Sequence, residues 1–261
     1  HLLEVTHEGQ RQRISFDQCI IAAGSEPIRL PNFPVDPRIM DSTGALELPD
    51  TPQRLLVIAC GMIAREVLAV KEQLGLEHLE LTCLPAEFHY YPDRIAPAMD
   101  AAIVKARDEG YENVFVGYAD CGTGGQIDTV CKKHGVERIA GPHCFAFYQG
   151  LERYADVADG DMMTFYMTDF LCRSFEAFFL KPLGLDRHPE LVQDYFGNYE
   201  RLVYLAQVED PALEKVAIDA ARMLGLAYEK RVTGYGDLRS ALAAADHDMK
   251  APESAKRSAA S

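Results

Sequence analysis

The sequence predicts an α/β fold: a parallel sheet of βα units with a mainly helical carboxyl-terminal half, preceded by a short β-rich amino-terminal fragment. Three observations carry this. Beyond residue 54, short apolar runs alternate with segments whose apolar residues recur at helical spacing. Four of those runs lead into a cysteine, at Cys60, Cys83, Cys121 and Cys144. Residues 1–53 follow another rule, period-two alternation and then a proline-rich stretch.

Taken in order, Leu2-Leu3-Glu4-Val5-Thr6 and Gln12-Arg13-Ile14-Ser15-Phe16 alternate about a turn near Glu8-Gly9, as a hairpin would. Residues 18–24 read as a buried strand, after which Pro27, Pro31, Pro34 and Pro37 preclude regular structure. A strand at 55–59 leads into a helix over 62–74 with Ile63, Val67, Val70 and Leu74 on one face. A strand at 79–82 precedes a loop broken by Pro85 and a helix near 95–109. A strand at 113–118 runs into Cys121-Gly122-Thr123-Gly124-Gly125 and a helix ending near His134-Gly135; a strand at 136–140 reaches Gly141-Pro142-His143-Cys144. Residues 162–179, aromatic and without a polar face, read as a buried helix. Residues 189–206 and 211–224 read as helices with proline in the first turn, and 227–233 as a strand. The polar end, 246–261, reads as disordered. The domains expected are a fragment at 1–53, an α/β domain at 54–240 and a tail at 241–261.

Of 261 residues, 48% are apolar, enough for a substantial core. A formal charge of −14 argues against free nucleic acid as a partner, and no apolar run is long enough to span a bilayer. Seven cysteines without a visible secretory signal suggest thiols or metal ligands in the cytoplasm rather than disulfides. The partner class left open is a small-molecule substrate or a protein.

The stretch Ile20-Ile21-Ala22-Ala23-Gly24-Ser25-Glu26-Pro27-Ile28-Arg29-Leu30-Pro31, followed by Asp41-Ser42-Thr43-Gly44-Ala45-Leu46, resembles the pyridine nucleotide-disulfide oxidoreductases, especially dihydrolipoamide dehydrogenases. That resemblance implies the end of a flavin domain, with a nicotinamide fingerprint after the next strand. A fingerprint would place glycines at 59, 61 and 64, where the chain has Ala59, Gly61 and Ala64. The redox cysteine pair and the flavin fingerprint are also absent from the sequence. FAD and NAD are therefore not expected to bind, and the fragment reads as an oxidoreductase remnant.

A second resemblance covers residues 54–240. Ile58-Ala59-Cys60-Gly61, Leu81-Thr82-Cys83-Leu84-Pro85-Ala86-Glu87-Phe88-His89, Tyr118-Ala119-Asp120-Cys121-Gly122-Thr123-Gly124-Gly125, Gly141-Pro142-His143-Cys144, Gly184-Leu185-Asp186-Arg187-His188-Pro189 and Thr233-Gly234-Tyr235-Gly236 are similar to the motifs of domain of unknown function 1638. The junction between the two resemblances falls near residues 54–58. The second family implies no established activity; cofactor handling, or one-carbon or corrinoid-linked group transfer, ranks first among the roles it suggests.

Parallel strands would bring the four thiols to the carboxyl edge of the sheet, where open α/β sheets bind ligands. Cys60 and Cys121 stand where helix amino-termini would favour a thiolate, the form that binds metal. The expectation is a transition metal, zinc or an iron–sulfur cluster, held by Cys60, Cys83, Cys121, His143 and Cys144, with His89 as an addition. Gly61, Gly122, Thr123, Gly124 and Gly125 would form a cofactor-binding turn. Alternative readings make that turn a phosphate cradle, which Asp120 would oppose, or make Cys121 a nucleophile with His143 as its base. A non-catalytic metal carrier or scaffold is a further alternative. Cys19, Cys131 and Cys172 read as structural, Glu66 as facing solvent, and Tyr195, Tyr199 and Tyr204 as a helix–helix contact.

Overall fold

Residues 2–7, 10–15, 54–157 and 160–250 are described by the computed structural model, and they fall into two units, His1–Thr51 and Pro52–Ser261. In the first unit, β1 (Leu2–His7) and β2 (Gln10–Ser15) form the expected antiparallel pair, in a register from Leu2 opposite Ser15 to His7 opposite Gln10. Glu4 lies across from Arg13 and pairs with it and with Arg11, a cross-strand match of charges. The strand expected at 18–24, with Cys19, and the proline-rich stretch lie outside the described residues.

The second unit opens with the predicted βα alternation. Strands β3 (Leu55–Cys60), β4 (Leu79–Leu84), β5 (Asn113–Gly117) and β6 (Glu137–Arg138) alternate with helices α1 (Ala64–Leu74), α2 (Ile95–Asp108) and α3 (Gln126–His134). The strands form one parallel sheet in the order β4-β3-β5-β6. Helices cover both faces, so β3 is buried from Leu55 to Ala59 and reads as a continuous apolar run. Its residues still alternate. Val57 and Ala59 pack with Val67 and Val70 of α1, whereas Ile58 packs with Met99 and Ile103 of α2. The chain leaves β3 toward β4 on one side and later returns to β5 on the other. That reversal opens a crevice at the carboxyl ends of β3 and β5.

The carboxyl-terminal half is helix-rich: α4 (Cys144–Gln149), α5 (Leu151–Val157), α6 (Asp169–Arg173), α7 (Val192–Phe196), α8 (Pro211–Leu224) and α9 (Asp237–Lys250). It also holds a second parallel sheet, β7-β8-β9, from Thr164–Thr168, Arg201–Ala206 and Ala227–Val232. Two expectations are corrected here. Residues 162–179 are not one helix, and the helix expected over 189–206 ends at Phe196, with Arg201–Ala206 becoming the central strand. Both strands are buried, and a buried parallel strand shows no period that separates it from a buried helix. The β-branched and aromatic residues of Thr164-Phe165-Tyr166-Met167-Thr168 were the signal available. Helix α8 starts as its sequence suggests, Asp210 accepting from the Ala212 amide ahead of Pro211, and stops at Gly225 in the left-handed region. Helix α9 runs to Lys250, so the expected tail is helical from 241 to 250; 251–261 lie outside the described residues. Among the described residues no helix is long and apolar enough to cross a membrane.

Candidate functional site

Cys60 ends β3, and Cys121 follows β5 after Tyr118-Ala119-Asp120. Two backbone bonds tie this segment to the one after β6: Asp120 N–H donates to Gly141 O (3.0 Å), and Cys121 N–H donates to Pro142 O (2.7 Å). They bring Cys121 beside Cys144, the first residue of α4, whose amide faces the Cys121 thiol. Cys60, Cys121 and Cys144 line one cavity with Tyr118, His89 and Phe147. Its volume is about 20 Å³, room for one group the size of a water molecule or a methyl. Among the described residues Cys121 is the one non-glycine with positive φ, 49°. That conformation costs an L-residue roughly 1–2 kcal/mol, and such strain collects where function over-determines geometry.

The thiols are neutral. Burial pushes the Cys60 and Cys144 thiols up, and burial with the neighbouring Cys60 takes Cys121 to about 12. The expectation that helix amino-termini would draw them toward thiolate is thus corrected: Cys60 enters a 3₁₀ turn at Gly61–Ile63 before α1, and desolvation outweighs the local amides. The Tyr118 hydroxyl faces Cys60 but is buried without a hydrogen-bonding partner among the described residues.

The metal expectation is also corrected. Among the described residues no group of three or more Cys, His, Asp or Glu could hold an ion. The reasons are local. Cys83 is exposed on the edge strand β4 and does not line the cavity. His143 caps α4: its Nδ1 accepts from the Ala146 amide (3.2 Å), leaving Nε2 to donate to Tyr154 Oη (3.1 Å). Both imidazole nitrogens are engaged away from the thiols, so His143 serves neither as ligand nor as base for Cys121. Zinc and iron–sulfur clusters drop out of the account.

The glycine turn is closed on itself. Asp120 accepts from Thr123 Oγ1 (2.7 Å), Gly125 N–H (2.7 Å) and Gly124 N–H (3.2 Å). Burial raises the Asp120 pKa, but these bonds outweigh it and hold the carboxyl below its ordinary value. The amides that would cradle a phosphate already carry an anion. Gly61 serves packing: a Cβ there would stand 3.1 Å from the Ala86 amide and the Leu84 carbonyl.

Two features escaped the sequence. The first is an aromatic chamber of about 340 Å³, walled by Phe145 and Tyr166, by Phe165, Phe179, Phe196 and Tyr199, and by His89 and Tyr90. His89 lines both the chamber and the thiol cavity. Its apolar surroundings lower its pKa, although the residue keeps solvent contact. Tyr195 and Tyr199 line the chamber instead of a helix–helix contact, and Tyr204 is buried in β8. The second is a buried polar group at the carboxyl end of the second sheet. Asp169 accepts from Tyr204 Oη (2.7 Å), Val208 N–H (3.1 Å), Gln207 N–H (3.2 Å) and Arg173 (3.3 Å). Glu66, expected to face solvent, is 3% exposed; one oxygen lies 3.5 Å from Arg173, and the other has no partner among the described residues. Fully buried Tyr148 is within electrostatic reach of Glu66 and of Cys144 and Cys60.

Comparison with known proteins places the sequence in a family. The profile described as "Protein of unknown function (DUF1638)" matches residues 83–242. The chain belongs to that family. A second profile, "Pyridine nucleotide-disulphide oxidoreductase", matches residues 2–113 and so overlaps the first from the end of β4 through α2 to the start of β5. Curated relatives of the amino-terminal part include the dihydrolipoyl dehydrogenase of Vibrio parahaemolyticus, 40% identical over 114 residues, 42% of this chain and 22% of that protein. Dihydrolipoyl dehydrogenase 3 of Pseudomonas aeruginosa is 45% identical over 82 residues, 29% of this chain and 18% of the relative. The Bacillus subtilis dihydrolipoyl dehydrogenase is 41% identical over 75 residues, 29% and 16% of the two chains. The chain thus spans about a fifth of the length of the curated relatives it matches. No solved structure matches. The expectation that FAD and NAD play no part is corrected by these matches, which point toward that chemistry over the amino-terminal part.

Proposed function

We propose that the Pro52–Ser261 unit transfers a one-carbon group to or from a cysteine thiol. The observation that carries this reading is a pair of adjoining spaces of very different size: a thiol-lined cavity of about 20 Å³ and an aromatic chamber of about 340 Å³, with His89 in the wall of both. The chamber suits an organic carrier, and the cavity suits only its terminal group. In the transfer the carbon–heteroatom bond of the carrier breaks and leaves its electron pair on the heteroatom. A carbon–sulfur bond forms, and the thiol proton passes through unprotonated His89 to water.

The test is peptide mapping after brief exposure of the whole chain to methyl iodide or to N-ethylmaleimide. Methyl iodide is expected to methylate Cys60, Cys121 or Cys144, while the bulky reagent labels exposed Cys83 and spares those three. Equal labelling of all four by both reagents, or methylation at Cys83 without the three, overturns the reading.

A second reading belongs to the amino-terminal part. The matches over residues 2–113 support a remnant of flavin- and pyridine-nucleotide-dependent disulfide chemistry. Flavin absorbance in the purified chain, bleached by NADH, is the result expected if that chemistry survives. A colourless protein ends this reading.

A further inference from the structure

The chamber beside the thiols selects a type of charge. Among the described residues its walls carry no lysine or arginine, and beyond the ring-bearing residues Thr164 is the one polar residue on them. The Thr164 hydroxyl is already engaged, accepting from Arg201 Nε at 2.9 Å. The phenols of two wall tyrosines donate outward, Tyr166 to the Asp161 carboxylate and Tyr90 to the Phe178 carbonyl. A phenol that donates to a carboxylate enriches its ring in electron density and leaves the face toward the chamber more attractive to a cation. The ion pairs behind Tyr166 cancel, Asp161 and Glu229 against Arg201 and Arg231, so no net positive charge opposes a cation there. The chain as a whole carries −14, which draws cations toward it.

Among the described residues the chamber's lining holds no carboxylate, so it offers a cation mainly ring faces, which suit methyl groups better than N–H groups. We propose that the aromatic chamber binds a methylated onium group, a quaternary ammonium or a sulfonium, and presents one of its methyls to the thiol cavity past His89. This rests on the one-carbon transfer reading above and names its substrate class. The balance is complete without an outside oxidant or reductant. The methyl carbon leaves nitrogen or sulfur, the bonding pair stays on the departing neutral amine or sulfide, the cysteine sulfur takes the methyl, and its proton leaves through His89 to water.

The experiment is a calorimetric titration of the full chain with choline and with 3,3-dimethyl-1-butanol, a neutral molecule of the same shape. Choline is expected to bind at least tenfold more tightly. Phe145→Leu and Tyr195→Leu are each expected to reduce that ratio severalfold; half-exposed Tyr195 gives a variant whose folding is not at issue. Equal or tighter binding of the alcohol makes the chamber merely apolar and overturns the proposal, as does failure of both to bind. Incubation with trimethylsulfonium separates the two readings. Choline binding without any thiol methylation keeps the chamber assignment and removes the transfer. Thiol methylation by methyl iodide without choline binding keeps the transfer and removes the onium.

Discussion

The two parallel sheets of the Pro52–Ser261 unit end in opposite ways. At the carboxyl edge of the second, Asp169 is wholly buried and accepts from four donors, so its charge is compensated in place. At the edge of the first stand three neutral thiols, a strained Cys121 and a buried Tyr118 hydroxyl without a partner among the described residues. Asp169 is fully partnered and the thiol edge is not, although Glu66, on the far side of Arg173, keeps one oxygen without a partner among the described residues. A satisfied buried network specifies a fold; unsatisfied groups and backbone strain that persist in a packed core point to a ligand. The lesson is that the more polar edge is the structural one.

The sharpest way to break this contrast is to remove Asp169. Asp169→Ala leaves Tyr204 and two amides without their acceptor and Arg173 with Glu66 alone, and is expected to cost about 3–5 kcal/mol in urea denaturation. Cys144→Ala is expected to cost roughly 1–2 kcal/mol, since it removes one packed atom and no hydrogen-bonded charge. Equal losses would erase the distinction between the edges. Next in size is the strain at Cys121. Cys121→Gly is expected to be more stable than Cys121→Ala by about 1 kcal/mol, because glycine accepts a φ of 49° and alanine does not. The opposite order in thermal melts would mean that the loop relaxes freely.

Glu66 sharpens the comparison through pH. Burial raises its folded pKa above the usual 4.5, so at pH values between the unfolded and the folded pKa the native state holds a proton that the unfolded chain has released. Stability from this group is fully present below the unfolded value and is lost as pH rises through the folded one. Glu66→Gln should therefore melt higher than the parent at alkaline pH, with the gap closing toward pH ~4. A gap constant with pH would show that Glu66 stays ionised. Glu80 supplies the smallest effect. The Arg54 and Tyr111 side chains bring its pKa to about 2, so its contribution is present above the ordinary carboxylate value and fades as pH falls toward that number. The group is half exposed, and Glu80→Gln is expected to cost less than about 1 kcal/mol at neutral pH, read by chemical denaturation.

Much of the first sheet was legible because its strands are separated by amphipathic helices with glycine stops, as at Gly75 and Gly135. Strand direction pointed to the meeting of Cys60 and Cys121; the bonds of Asp120 and Cys121 to Gly141 and Pro142 add Cys144, and Cys83, on a strand of the same direction, stays outside. What the sequence hid was protonation and partnership. Helix starts suggested thiolates, but burial decides the charge. His143 looked like a ligand, yet its ring is spent on Ala146 and Tyr154, a local cap that no spacing rule announces. The second sheet was hidden because Thr164–Thr168 and Arg201–Ala206 are buried on both faces and so show no alternation. The aromatic chamber was hidden because its rings come from segments far apart in the chain.

The turn after Cys121 holds a last consequence. Asp120 acts as the loop's own guest, a carboxylate seated where an external anion would sit. A receptor that arrives already filled is shaped without waiting for its ligand, and it denies the seat to any competing anion that diffuses past. Cys121 therefore stands on a pedestal braced by the loop's own bonds. A single change at position 120 would turn that pedestal into an open anion receptor, so this short loop stands one residue away from a different specificity.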